Sequence, residues 1–356
     1  MVETELLTPS PGRAATLATA MLVRLGEAVN RTLVLPVVMF FPTSRCNSRC
    51  VSCDWWRSSG ADDLTLPEIA ALARSLPSLG TRVVALTGGE PLLRPDVFDV
   101  ARAFRGEGLR LHLLTSGVLL ERCAEEVARH VDRVIVSLDA TSDTLYQAIR
   151  GVPALPMVEK GVAALRRRAP GLPLTARATL HRMNFRELVG LIDHARAMAL
   201  DGISFLPADV TSSAFNRTHG VQPSDLTLTP TEVADFIRVV DEAIASRPDA
   251  FKSGFVAESP DRLRRLPQYY AALNGDGDFP EVACNAPWMS VVVEADGAVR
   301  PCFFHEAIGN IRKAPLGSIV GSALPAFRKQ LDVGANPICQ RCVCSIRTGW
   351  RGTPWQ

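Results

Sequence analysis

Long apolar runs are missing from this chain. The longest early one, Leu33 to Phe41, is too short to cross a bilayer and contains Pro36, so no membrane-spanning segment is expected. The opening residues Met1-Val2-Glu3-Thr4-Glu5 lack the basic start of a secretory signal, which points to the cytoplasm. Charge of one sign is missing too. Lys and Arg number 39 against 37 Asp and Glu, a formal net charge of +2, so neither nucleic acid nor a membrane surface is implied as a partner. The densest basic cluster, Arg166-Arg167-Arg168, falls just before Pro170 and reads as a solvated helix end. Cysteine is not missing. Nine cysteines without secretory features argue for metal or redox ligation in a reducing compartment rather than for disulfides.

The 356 residues suffice for one barrel-sized domain and a smaller one. Residues 1–32 read as a tail and an amphipathic helix, about Ala14 to Val29, able to cover the bottom of a barrel or a partner. Strand-like runs follow at Leu33–Phe41, Thr81–Leu86, Arg110–Leu114, Arg133–Leu138, Leu174–Leu180 and Gly202–Leu206, with helical periodicity between them. One helix starts at the capping box Thr65-Leu66-Pro67-Glu68. Another carries Leu188, Leu191, Ile192, Ala195 and Met198 on one face, with His194 turned to solvent. Six β-α units imply an α/β fold with a parallel sheet curled into a partial barrel. The alternation stops beyond the helix that begins near Thr231. The expected division is residues 1–32, a barrel over 33–245, and a second unit over 246–356.

Cys46, Cys50 and Cys53 lie on the loop after the first strand, at the end where α/β barrels keep their active sites. Three thiolates at this spacing can hold three irons of a [4Fe–4S] cubane and leave the fourth iron open to a small chelating molecule. A tetrahedral zinc site wants four ligands, and none lies nearby in sequence; His112 or another distant residue would have to complete it. The second strand ends in Thr87-Gly88-Gly89-Glu90-Pro91, where two glycines permit close backbone approach and a carboxylate can accept from an ammonium.

The C-x3-C-x2-C loop resembles the signature of the radical S-adenosylmethionine (radical SAM) superfamily, and Gly88-Gly89-Glu90 resembles that family's contact to the SAM amino group. The resemblance implies a partial (β/α)6 barrel, with the cluster of Cys46, Cys50 and Cys53 binding SAM. Leu114-Thr115-Ser116-Gly117, Val136-Ser137-Leu138-Asp139 and Tyr146 to Gly151 resemble further family elements. They make Ser116, Ser137 and Asp139 candidate contacts to the SAM ribose and carboxylate, and Arg150 a candidate for the carboxylate or the substrate. The family's aromatic residue before the third cysteine is replaced by Ser52, with Trp55 just beyond as a candidate wall for the adenine.

Near the C-terminus, Trp288–Glu294 and Ala298–Cys302 read as a hairpin around Ala295-Asp296-Gly297, bringing Cys284 and Cys302 together; Cys339 and Cys342 supply a second pair. Four thiolates so arranged can hold a fully ligated [4Fe–4S] cluster, with zinc as the rival. The set resembles the SPASM extension, more closely its shortened twitch form. Cys344 reads as spare, able to exchange with Cys342; Cys123 reads as a core residue and His305 as structural.

The resemblance implies reductive cleavage of SAM to a 5′-deoxyadenosyl radical, hydrogen-atom abstraction from substrate, and an electron donor such as flavodoxin or ferredoxin. A coordinatively complete auxiliary cluster suits electron transfer. The leading expectation is therefore net dehydrogenation of a small alcohol, with Arg150 a candidate base for its hydroxyl proton. A maturase acting on a ribosomal peptide or protein is the alternative, disfavoured by the shortness of residues 1–32. A third is a non-catalytic iron–sulfur or zinc scaffold.

Overall fold

The computed structural model describes residues 13–216 and 223–346; the expected N-terminal tail falls largely outside this range. Six strands, β1 (Val37–Thr43), β2 (Val83–Gly88), β3 (Arg110–Thr115), β4 (Arg133–Ser137), β5 (Leu174–Leu180) and β6 (Gly202–Pro207), alternate with helices and pair in parallel, in chain order. The sheet does not close on itself, as a partial barrel requires. Pro36 has no N–H for the ladder, so β1 starts at Val37 rather than Leu33; it runs on to Thr43 through a register shift between Phe40 and Thr43, around Pro42.

Side chains alternate across the sheet. Val38, Phe40, Val84, Leu86, Leu111, Leu113 and Val136 pack in the core shared with the helices. Val37, Met39, Phe41, Val83, Ala85 and Val292 form a separate cluster on the concave face. Val23 of helix α1 (Arg13–Ala28) joins that cluster, so α1 packs against the concave face, while Leu17, Met21, Leu25 and Val29 stay exposed.

The second unit is built onto the first. The expected hairpin forms from β7 (Ser290–Val293) and β8 (Ala298–Arg300), with Gly297 at φ +86° in its turn, and a short β9 (Gly309–Asn310) follows. Trp288 and Met289 belong instead to a helical turn, Ala286–Met289. Beyond the expected hairpin, β7 pairs in parallel with β1, giving one sheet in the order β6-β5-β4-β3-β2-β1-β7-β8-β9. A side-chain clamp reinforces the join. Glu68 accepts the Thr65 N–H at 2.7 Å, as the capping box requires, and receives the Arg312 Nε at 2.7 Å from beyond β9. Arg312 is the main cause that holds the Glu68 carboxyl down at about 2.

The opposite edge, β6, is finished differently. Phe255 accepts the Ile203 N–H at 2.7 Å and Ala257 donates to the Ile203 carbonyl at 2.9 Å, a short parallel bridge. The next ladder donor, the Phe205 N–H, is taken by the Glu258 carboxylate at 3.0 Å. Glu258 then leads into a helix, Pro260–Leu273, capped by Ser259.

Candidate functional site

The cysteine loop is pinned on three sides. Arg49 and Val51 donate their N–H groups to the carbonyls of Arg150 and Ile149 at 2.7 and 2.9 Å; Ser44 N–H donates to Asp63 at 3.0 Å; Glu90 N–H donates to the Arg45 carbonyl at 2.8 Å. The Gly88-Gly89 turn makes this approach possible. Gly88 sits at φ +102°, and a Cβ there would lie 2.4 Å from the Phe41 ring; at Gly89 it would lie 2.1 Å from the Arg45 carbonyl oxygen. Here the close backbone approach is to the base of the cysteine loop itself. Gly89→Ala is expected to push that loop away, costing about 1–3 kcal/mol of stability and emptying the first metal site. Iron analysis checks this, and full iron content in the variant would show that the loop absorbs the methyl group.

Most of the sequence-predicted residues converge at this end of the barrel. Cys50 lies close enough to raise the pKa of both Cys46 and Cys53 electrostatically; burial is the larger cause, pushing Cys46 to about 11. Backbone N–H groups of Ser48 and Trp55 point at the sulfurs of Cys46 and Cys53. Donors aimed at buried sulfur suit thiolates whose proton is replaced by iron. Ser116 Oγ donates to Asn47 within the loop at 3.3 Å, and Ser137 ends β4 half-buried, as Ser52 is in the loop. Glu90 is buried and already accepts from Leu92 N–H (3.0 Å), Thr115 Oγ1 (2.8 Å) and Ser116 N–H (2.7 Å). A carboxylate has about four acceptor positions, so one remains, on Oε2.

Two roles read from sequence need correction. Arg150 cannot serve as a base: its Nη1 lies 3.0 Å from Asp139 Oδ2 in a buried ion pair, and the neighbouring Cys50 and Asp139 charges hold the guanidinium protonated well beyond its ordinary range. Asp139 braces Arg150 with one oxygen and accepts the Thr179 N–H at 2.7 Å on the other, so each oxygen keeps one acceptor position. His112, the distant ligand a zinc reading would need, lies mid-strand in β3 between Ala85 and Arg133 rather than at the loop. Trp55 stacks edge-on to Phe41 at 5.5 Å, beside Phe303 at 6.2 Å from the same ring, forming an aromatic wall.

Cys284, Cys302, Cys339 and Cys342 line one pocket, as the hairpin argument expects, and Cys344 and His305 line it with them. Burial pushes the Cys302 thiol to about 12 and Cys339 to about 11. N–H groups of Phe304 and His305 point at the Cys302 sulfur, and the Cys344 N–H lies 3.4 Å from Cys342 Sγ. Among the described residues no three His, Cys, Asp or Glu side chains converge at the spacing of a single ion. Four thiols around one pocket supply the ligand number of a fully ligated cluster, and equally that of a zinc ion.

Sequence reasoning missed Glu258. It is buried, lines a cavity of about 710 Å³, and shares that cavity with Leu206 of β6, Arg262, Arg265, Cys342 and Cys344. The cavity connects the open edge of the barrel with the second cysteine set. Burial raises the Glu258 carboxyl to about 7, against a lowering by the Phe205 N–H and, more weakly, by Arg177 on β5. The signal available in sequence was a lone acid closing the apolar run Phe255-Val256-Ala257.

Comparison with known proteins agrees with this geometry. The profile of the radical SAM superfamily matches residues 40–195, and that of the SPASM iron–sulfur cluster-binding domain matches 284–343. The chain is 32% identical to a GTP 3′,8-cyclase of Marinobacter nauticus over 300 residues, 83% of this chain and 85% of the relative. It is 30% identical to a PqqA peptide cyclase of a Methylobacterium species over 319 residues, 85% and 76% of the two chains. The fold is similar to the crystal structure of Streptococcus suis SuiB bound to S-adenosylmethionine, with a TM-score of 0.66 at 14% identity, covering 94% of this chain and 78% of SuiB. No described helix is long and apolar enough to cross a membrane. The chain belongs to the radical SAM superfamily, with a SAM-binding [4Fe–4S] cluster and a C-terminal SPASM-type domain for an auxiliary iron–sulfur cluster.

Proposed function

We propose that this enzyme performs a net two-electron oxidation of a small molecule held in the cavity between β6 and the auxiliary cysteines. The observation that carries the reading is that one cavity of about 710 Å³, within the range of small-molecule sites, is lined by a barrel strand, a buried acid and Cys342 and Cys344. Cys46, Cys50 and Cys53 hold the first cluster, and Cys284, Cys302, Cys339 and Cys342 the auxiliary one. When bound and reduced, SAM and its cluster supply a radical that removes a hydrogen atom from substrate, and the auxiliary cluster supplies an electron acceptor.

The residues of the chain do the rest. The free acceptor position on Glu90 Oε2 takes the SAM amino group, and Ser116 and Ser137 border the ribose. Arg150, held charged by Asp139, offsets the negative charge of the thiolates. Glu258, in place of Arg150, takes the hydroxyl proton. Hydrogen atom, proton and electron then sum to the two hydrogens lost by an alcohol becoming a carbonyl. Electrons enter from a donor such as flavodoxin or ferredoxin.

Peptide modification is the second reading, favoured by the likeness to the PqqA peptide cyclase over 85% of the chain. Anaerobic reduced protein given SAM and candidate alcohols or peptides tests both. The expected result is 5′-deoxyadenosine together with a small-molecule product lighter by two hydrogens. A product of unchanged mass would overturn the oxidation, and turnover of peptides alone would favour the second reading.

A further inference from the structure

His305 lies where neither its spacing nor the proposed reaction explains it. It is 6% exposed, with its Nε2 at 3.3 Å from Cys339 Sγ and its ring edge-on to Phe327 at 4.9 Å. Its backbone N–H points at Cys302 Sγ, so one residue addresses two thiols of the auxiliary set. An iron-bound thiolate only accepts, so at 3.3 Å Nε2 carries a proton facing Cys339.

Arg328 adjoins Phe327 on the helix Leu316–Gln330 and is 3% exposed. Its Nε donates to the Pro287 carbonyl at 2.7 Å, and both terminal nitrogens are buried without a hydrogen-bond partner. The only ring contact of its guanidinium among the described residues is the Trp288 face at 5.7 Å. Burial lowers it to about 10, and among the described residues no carboxylate pairs with it. A buried cation needs a compensating negative charge. Pro287, whose carbonyl it holds, lines the same pocket as His305 and the thiols.

We infer that His305 and Arg328 together set the reduction potential of the auxiliary cluster, the cluster being the counter-charge that Arg328 otherwise lacks. A cubane with four thiolates is a net anion, and accepting one electron adds one negative charge. A fixed cation held behind the pocket wall at Pro287 stabilises the reduced form more than the oxidised form. An N–H donor on a ligand sulfur acts in the same direction, because the sulfur becomes a better acceptor on reduction. Both groups raise the potential and suit the cluster to receive an electron from substrate. His305 and Arg328 are positioning residues: they act through the cluster and touch no substrate.

This inference rests on the electron-accepting role proposed above, and the test separates the two. The full chain with Cys46, Cys50 and Cys53 all changed to Ala isolates the auxiliary cluster, whose midpoint is read by a redox titration followed by EPR. His305→Phe and Arg328→Met are each expected to move the midpoint to more negative values, with Arg328→Lys close to the parent. Should Arg328→Met fail to hold iron, His305→Phe and Arg328→Lys still decide the matter. Unmoved midpoints at full iron content overturn the tuning alone. Absence of any iron–sulfur signal in the parent background overturns the shared reading. A strong nitrogen coupling from His305 would make it an iron ligand and overturn its role as a donor.

Discussion

Glu258→Gln is expected to lower substrate oxidation by about 10²–10⁴-fold, the usual worth of a positioned base, while cleavage of SAM continues. The loss follows from place and protonation together. Glu258 is fixed at the barrel edge by the Phe205 N–H, lines the substrate cavity, and titrates near 7 because it is buried. Oxidation by the native chain should rise with pH through about 7 and level off above it, as the carboxylate form fills. The variant should show a low, flat profile. The same shift acts on folding. The carboxyl's folded value lies above its unfolded one, so its stabilising contribution is complete below the unfolded value of about 4.5 and is lost as pH rises through about 7. Glu258→Gln should therefore remove that part of the fall in stability, which thermal unfolding across this pH range measures. A pH profile unchanged by the substitution would assign the proton to another group.

Replacing Cys46, Cys50 and Cys53 together by Ala should reduce SAM cleavage to the uncatalysed background, a loss of at least ~10⁶-fold. Bound iron should fall from about eight to about four atoms per chain, since each cubane holds four. The contrast with the auxiliary set makes the result specific. Replacing Cys302 and Cys339 should also remove about four irons, yet leave SAM cleavage and uncouple it from product. The loop's attachment to Arg150, Ile149 and Glu90 runs through backbone atoms, so substituting the thiols should leave the barrel folded.

Local pattern made much of this fold readable, and the exceptions share a cause. Leu174–Leu180 is a strand in both readings because apolar outward positions alternate there with Arg177 and Thr175 on the concave face. The cysteine loop and the glycine turn were legible because metal spacing and close backbone approach leave local marks. The pairing of β7 with β1 leaves none, since an apolar run such as Val291–Val293 does not name a partner some 250 residues upstream. Arg150 cannot act as a base because its protonation is held, against burial, by the neighbouring Cys50 and Asp139 charges, which the order of residues along the chain does not show. Glu258 was missed for the same reason: its reactivity comes from a β-edge and a cavity that exist only after folding.

The central claim is that one iron of the first cluster lacks a protein ligand while the auxiliary cluster is complete. Mössbauer spectroscopy of ⁵⁷Fe-reconstituted protein, with and without SAM, addresses it directly. The expected spectrum holds two cubanes, and SAM shifts about one iron in eight to a higher-coordinate site. Two cubanes with no iron responding to SAM, or no cubane on the 46/50/53 loop, would contradict the account.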